Sequence, residues 1–279
     1  MRLRPVTRLF PTPSEELPLT NLYLDDDRQL GKHRSCPCVY TNFVTSLDGR
    51  IAIEPADKNN HQVPYTIANQ RDWRLYQELA AQADVLVTSA RYFRQLSKGR
   101  AQDVLPLSME PEFADLHDWR RKQGLPPQPA VAILTSSLNL PLHTLDGIKD
   151  RPVYVVSGEQ ADASAVKRIA HSGVKILIAG KHNKVEGAPL VDVLVRQGFG
   201  RIYSIAGPGV LETLLTAGVL DRLYLTQVHR LIGGQLFDTL LEGGPVSPPA
   251  DFRLGALYYD TGGDDQAAQF FCRFENPGK

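Results

Sequence analysis

From Ala130 to His229 the sequence alternates short apolar, β-branched runs with helical periods, and that alternation restricts the fold more than any other feature of the chain. Strands are predicted over Ala130–Thr135, Val153–Ser157, Val174–Ala179, Arg201–Ala206 and Arg222–His229. Helices are predicted between them over Ala161–Ser172, Pro189–Gln197 and Val210–Ala217. Strands separated by helices cannot be joined as hairpins, so the pattern requires a largely parallel sheet with helices on its faces, an α/β fold. The same rhythm begins earlier, with a strand over Val39–Leu47, a helix over Asn69–Ala83, a strand over Asp84–Thr88 and a helix over Tyr92–Leu96. A short helix is expected around Phe113–Lys122. The tail departs from it: Phe252–Tyr259 and Gln269–Phe274 read as strands with no helix between, an antiparallel hairpin expected at the sheet edge. An apolar edge of that kind invites pairing with a second copy, so a homodimer is expected. Residues 1–38 read as an extension wrapped on the main domain, residues 39–279, with Leu22, Tyr23 and Leu24 as the only compact apolar cluster of its first 35 residues.

Within this frame one stretch, Arg201–Ala217, reads as strand, glycine turn and helix in 17 residues, RIYSIAGPGVLETLLTA. The turn is Ala206-Gly207-Pro208-Gly209. Glycines there permit positive φ and close approach of backbone, and a following helix N-terminus attracts an anion such as phosphate. The same residues also suit an ordinary strand-to-helix connection, and the turn alone does not separate the two readings.

Common catalytic patterns are missing. A dinucleotide fingerprint of the G-x-G-x-x-G type would place a small residue where Glu212 stands. There is no G-x-x-x-x-G-K-[ST], H-E-x-x-H or G-x-S-x-G, and no histidine has Glu two residues on, so no nucleobase-deaminase site is expected. Equal numbers of basic and acidic residues, 31 each, give no electrostatic case for nucleic acid or a membrane surface. No apolar run approaches the length of a spanning helix and the N-terminus has no signal-like core, so a cytoplasmic protein is expected. Three cysteines argue against a disulfide framework. His33, Cys36, Cys38 and Cys272 are the residues from which a metal site would have to be built; free thiols are the expectation, and no metal is assigned.

Several strand ends carry hydroxyls, glycines or charge: Thr45-Ser46-Leu47-Asp48-Gly49, Thr88-Ser89-Ala90-Arg91, Thr135-Ser136 and Ala206-Gly207-Pro208-Gly209. Ligands of parallel sheets bind beyond the carboxyl ends of strands, so these ends are expected to form one cleft for a phosphorylated cofactor. Singly, Ser89 suits a helix N-cap and Asp48 a turn.

Ser46-Leu47-Asp48-Gly49-Arg50-Ile51-Ala52 resembles the S-L-D-G-x-x-A opening of the riboflavin-biosynthesis reductases, the C-terminal domain of the bifunctional deaminase–reductase RibD. Leu79–Thr88, Ala206–Leu211, Gly218–Leu225 and Leu231–Gly234 are similar to further segments of that family, in the same order. The resemblance implies a dihydrofolate-reductase-like three-layer fold, NADPH as cofactor and a homodimer. It also implies hydride transfer to 5-amino-6-(5-phosphoribosylamino)uracil, a phosphorylated pyrimidine. By the same resemblance Gly207, Pro208, Gly209, Val210 and Leu211 would hold the cofactor diphosphate, Ser136 would lie near its adenosine half, and Ser89, Arg91 and Tyr92 near its phosphates. Arg91 would select the 2′-phosphate of NADPH, and Val44 and Ser46 would flank the nicotinamide. Asp48 is the candidate for substrate binding or proton delivery, Ser46 is a further substrate-binding candidate, and Arg94 is the candidate for the substrate phosphate. The chain departs from the family pattern at Ala80, Leu96 and Ile205, positions the family uses for substrate. Reduction of a different heterocycle or imine, and nucleotide binding without catalysis, therefore remain alternative functions.

Overall fold

In the computed structural model, residues 4–26, 37–54, 61–101, 105–263 and 266–278 are described. The chain opens with β1 (Val6–Phe10), β2 (Glu15–Leu17) and α1 (Leu22–Asp26), followed by β3 (Cys38–Ser46) and β4 (Ala52–Ile53). Then come α2 (Gln70–Gln82), β5 (Val85–Ser89), α3 (Ala90–Leu96), α4 (Ala114–Lys122), β6 (Ala130–Leu134), β7 (Val153–Ser157) and α5 (Ala163–His171). The last part holds β8 (Lys175–Ile178), α6 (Gly187–Arg196), β9 (Arg201–Ser204), α7 (Pro208–Thr216), β10 (Arg222–Val228), β11 (Phe237–Asp238), β12 (Arg253–Asp260) and β13 (Gln269–Glu275).

One sheet of 11 strands runs β2-β1-β12-β13-β10-β3-β9-β5-β6-β7-β8, and β4 pairs with β11 in a second, small sheet. Every pairing from β10 through β8 is parallel, as the strand–helix alternation predicts. Successive residues of a central strand serve opposite faces. Val85 and Val87 of β5 pack with Leu190 and Leu194 of α6 and Leu211 and Leu214 of α7. Leu86, between them, packs on the other face with Leu75 and Leu79 of α2. Further along that face, Val131 and Ile133 of β6 meet Phe93 of α3 and Ile169 of α5. Helices thus cover both faces in three layers, and the central strands read as unbroken apolar runs because both of their faces are buried.

Helix α2 begins where Asn69 caps it, its side-chain oxygen accepting from the Arg71 and Asp72 amides at 3.0 Å each. Helix α7 ends at Gly218, which takes φ +63°.

The tail differs from expectation. The hairpin of β12 and β13 forms, but it is not an edge: β1 pairs antiparallel with β12, Thr7 opposite Tyr259, and β2 lies outside β1. The exposed apolar edge that motivated a homodimer is therefore covered by the chain's own first strands. The expected extension is built into the core over residues 6–24, where Val6, Leu19, Leu22, Tyr23 and Leu24 are buried. The carboxylate of Glu78 on α2 fastens this segment, accepting from the amides of Asn21 at 2.6 Å and Tyr23 at 3.0 Å. His33 and Cys36 lie outside the described residues; Cys38 is half-buried at the start of β3, and Cys272 is a buried free thiol.

Candidate active site

Strands β3, β5 and β9 are adjacent and parallel, so their carboxyl ends open into the same space. There a cleft of about 340 Å³ forms. Its floor is Asn42, Phe43 and Val44 of β3, Thr88 and Ser89 at the end of β5, and Ile205 to Pro208 at the turn after β9. Trp73 and Tyr76 of α2 form one wall, with ring centroids 5.1 Å apart and planes 20° from parallel. Arg91 and Tyr92 of α3, with Arg100 beyond it, line the cleft, as do His61 and, from the small sheet, Ala52 and Asp238.

The glycine turn meets the cleft as expected, though for a different reason. Gly207 is the N-cap of α7 with φ −74°, and Gly209 is not among the glycines at positive φ. Neither glycine is required by backbone conformation. A Cβ added at either would meet nothing within 4 Å, so both leave open space beside the backbone. No side chain caps α7, and the Gly209 N–H bonds no described residue. The amides of Val210 and Leu211 do not face outward in the same way, since they bond the Gly207 carbonyl at 3.0 and 3.3 Å. Their side chains belong to the core. An uncapped helix start beside two open glycines fits a diphosphate, which needs N–H donors and room for its oxygens.

Val44, Ser89, Arg91, Tyr92, Gly207 and Pro208 all line the cleft. Ser89 stands at the N-cap of α3, yet its hydroxyl makes no capping bond.

Gly209, Val210 and Leu211, one to three residues into α7, are not part of the lining, and neither are Ser46, Asp48, Arg94 and Ser136. Ser46 is fully buried; its hydroxyl donates to Asp48 Oδ1 at 2.5 Å and accepts from the Arg50 amide at 3.0 Å. Asp48 also accepts from the Gly233 amide at 2.9 Å and from Arg50 Nη1 at 2.8 Å. Burial would raise the Asp48 carboxyl, but the Ser46 hydroxyl, the Gly233 and Ile232 amides and the Arg50 charge outweigh it and hold it down at about 2. A carboxylate so held does not deliver protons at neutral pH; it clasps the turn after β3 to the loop before β11. Arg94 is turned away, donating to the Asn139 carbonyl at 3.1 Å. Ser136 is exposed on the loop after β6, beyond the cleft.

The positions that depart from the family pattern separate in the same way. Ala80 is buried in the core against α2's own sheet face and touches no ligand space. Leu96 and Lys98 are exposed away from the cleft, whereas Ile205 and Arg100 line it. The aromatic pair Trp73 and Tyr76, which the helical period alone assigns to the core, is half-buried and faces the cleft. The most consequential residues that the sequence left unmarked are His61 and Asp238, whose side chains are hydrogen-bonded through His61 Nδ1 although 177 positions separate them.

Comparison with known proteins bears on what this cleft belongs to. A model of the RibD C-terminal domain family matches residues 37–257. No curated protein matches significantly. Among solved structures, a pyrimidine reductase-like protein from Corynebacterium diphtheriae superposes with a TM-score of 0.58 at 18% identity, covering 86% of this chain and 91% of that one. RibD of Acinetobacter baumannii gives 0.57 at 18% identity over 86% of this chain, but only 58% of its own longer chain. The riboflavin biosynthesis reductase Rib7 of Saccharomyces cerevisiae gives 0.52 at 14% identity, covering 91% and 98%. At such identities the likeness is one of fold, while the family match spans most of the sequence and includes the β3 turn, the glycine turn and the Gly233-Gly234 loop. The chain is a member of the RibD C-terminal domain family.

Proposed function

We propose that this chain is an NADPH-dependent reductase that transfers hydride to a phosphorylated aminopyrimidine of the riboflavin pathway. One observation carries the reading: the open glycine turn at the uncapped start of α7 and the cation Arg91 border the same cleft as the aromatic wall of Trp73 and Tyr76. Anion-binding and ring-stacking surfaces are thereby set side by side, as a dinucleotide and a heterocycle require.

Gly207 and Gly209 would receive the cofactor diphosphate, with Ser89 and Tyr92 flanking it, and Arg91 would pair with the 2′-phosphate that distinguishes NADPH from NADH. When bound, the reduced nicotinamide supplies the hydride. Val44 and Phe43 offer the apolar floor against which a planar ring lies, and Trp73 and Tyr76 exclude water from one side. Arg100, rather than Arg94, is the cation placed for a substrate phosphate. The reading carries with it a cytoplasmic enzyme acting as a homodimer, although the dimer no longer draws support from a free hairpin edge.

A second reading, reduction of a different heterocycle or imine, is favoured by Ile205, an apolar residue on the cleft where the family resemblance expects a carboxylate. Calorimetric titration with NADPH and NADH, followed by NADPH oxidation with 5-amino-6-(5-phosphoribosylamino)uracil and a panel of other imines, tests both. Preference for NADPH with turnover of the phosphoribosyl compound is expected. Turnover only of unphosphorylated imines supports the second reading, and tight binding without any turnover refutes both in favour of a nucleotide-binding homologue.

A further inference from the structure

Part of the cleft lining belongs to the small sheet of β4 and β11, extended by a bridge between Ile53 and Gln62. That bridge is made by reciprocal bonds, Ile53 N to Gln62 O at 3.0 Å and Gln62 N to Ile53 O at 2.9 Å. Phe237 opposes Ile53 from the other side and Asp238 opposes Ala52. Side chains alternate along extended chain, so residues adjacent to the Ile53 row project to the face opposite Ile53. Ala52, His61 and Asp238 are the residues one step off that row, and all three line the cleft. Ala52 is small, and the two longer side chains meet across it: His61 Nδ1 hydrogen-bonds to Asp238 Oδ1. Both keep partial access to solvent, with 27% of the histidine side chain and 16% of the aspartate exposed.

We infer that His61 is the acid of the reduction, with Asp238 as the residue that orients its ring. The inference rests on the reductase reading above. With Nδ1 engaged by Asp238, the ring's other nitrogen, Nε2, is the one left to exchange a proton with a bound substrate. Hydride reduction of a C=N bond needs such a partner. The hydride brings two electrons to carbon, the π pair of the C=N bond moves to nitrogen, and nitrogen takes a proton from Nε2 of the imidazolium. The neutral imidazole then regains its proton from water. Asp48 is committed to its turn and held at about 2, so it cannot fill this place.

Other charged groups lie close to the dyad. Glu242, in the loop after β11, is held above its ordinary range by burial and by the neighbouring Asp238 carboxylate, against the opposing charges of Arg91 and His61. Asp72, on α2, lines the cleft as well. His61 therefore sits among the carboxyl groups of Asp238, Glu242 and Asp72, with Arg91 and Arg100 lining the same cleft and Arg50 stacked on the neighbouring Phe237 ring.

The test uses the whole enzyme and its His61→Gln and Asp238→Asn variants, each checked for an unchanged far-ultraviolet spectrum. Proton NMR of the protein without ligand should show a downfield Nδ1–H resonance that disappears in both variants. Affinity for NADPH should stay within about threefold. In His61→Gln, kcat/KM for the substrate turned over by the wild type should fall about a hundredfold, within the range of a lost general acid, and the alkaline limb of the pH profile should vanish. Asp238→Asn should lower kcat about tenfold with KM little changed, while keeping that limb. Turnover of His61→Gln within threefold of wild type, with its alkaline limb intact, overturns the acid assignment alone. A wild type that turns over no substrate overturns the reductase reading and the assignment with it.

Discussion

Replacing Glu78 by alanine should unfasten the first strands from the sheet. The carboxylate is fully buried and accepts three hydrogen bonds: from Asn21 N at 2.6 Å, Tyr23 N at 3.0 Å and Arg74 Nε at 2.8 Å. Arg74 keeps its paired bonds to Asp115, at 2.9 and 2.5 Å, so the guanidinium is not stranded by the change. The two amides are stranded, and a buried donor left without a partner costs about 1–3 kcal/mol. Against this stands the burial of the carboxylate itself, which pushes the Glu78 carboxyl up to about 7 despite the pull of Arg74 and both amides. Its removal relieves that cost, so the net loss belongs near the lower end of the 3–5 kcal/mol typical of breaking a buried pair, about 3 kcal/mol. For a chain of this size that corresponds to a fall in Tm of roughly 6–12 °C. Urea denaturation at pH 7 measures the loss. Limited digestion with chymotrypsin locates it, because Tyr23 is 2% exposed in the fold and should become a cleavage site only in the variant. A loss under about 1 kcal/mol, with Tyr23 still protected, would show that the segment is held by its apolar side chains and not by Glu78.

Other expectations follow from the same interactions. Because Asp48 is depressed from 3.8 to about 2, its contribution to stability is complete above 3.8 and lost as the pH falls through 2; acid unfolding of Asp48→Asn should lack that step. Burial pushes the Cys272 thiol up to about 11, so iodoacetamide at pH 8 should label it only after unfolding, which peptide mass mapping reads directly. Arg91→Ala should weaken NADPH binding about ten- to a hundredfold, the worth of one charge-assisted bond, while Arg94→Ala, which faces Asn139, should change neither cofactor affinity nor turnover in calorimetry and steady-state assays. Gly207→Val should melt with the wild type, since φ −74° suits valine and no neighbour is within 4 Å, yet lose NADPH affinity.

The central sheet was legible because its strands are buried on both faces. Runs such as Ala130–Leu134, in which every residue is buried, carry their own signal, and the helices between them announce parallel connections. The first strands were not legible for the converse reason. In β1 only Val6 is buried, and β2 has no buried residue, so neither shows the alternation by which a strand is read. What recruits them is remote: the edge of β12 and the Glu78 carboxylate. The dimer expectation failed in its reasoning at the same point, since an edge judged without β1 looks free. Likewise β4 and β11, at two residues each, are too short to mark themselves and exist by pairing across the chain.

The candidate site divides along the same physical line. Its cofactor side is made largely by backbone, and backbone demands leave local traces: a Gly-Pro-Gly turn between a strand and a helix is visible within Arg201–Ala217. Even there the glycines matter for the space beside them and not for positive φ, which only the structure distinguishes. Its remaining side is made by side chains brought together over long separations, and types alone misassign them. Ser46 and Asp48 look reactive but spend their polar atoms on each other and on the loop at Gly233. His61 looks like one polar residue of a loop until β11 sets Asp238 beside it. A short motif therefore identifies the cofactor more securely than the substrate, because the first is recognised by local chain geometry and the second by pairings such as His61–Asp238. The substitution of Ile205 at that border, with the dyad in the same cleft, is where this chain's own specificity should be sought.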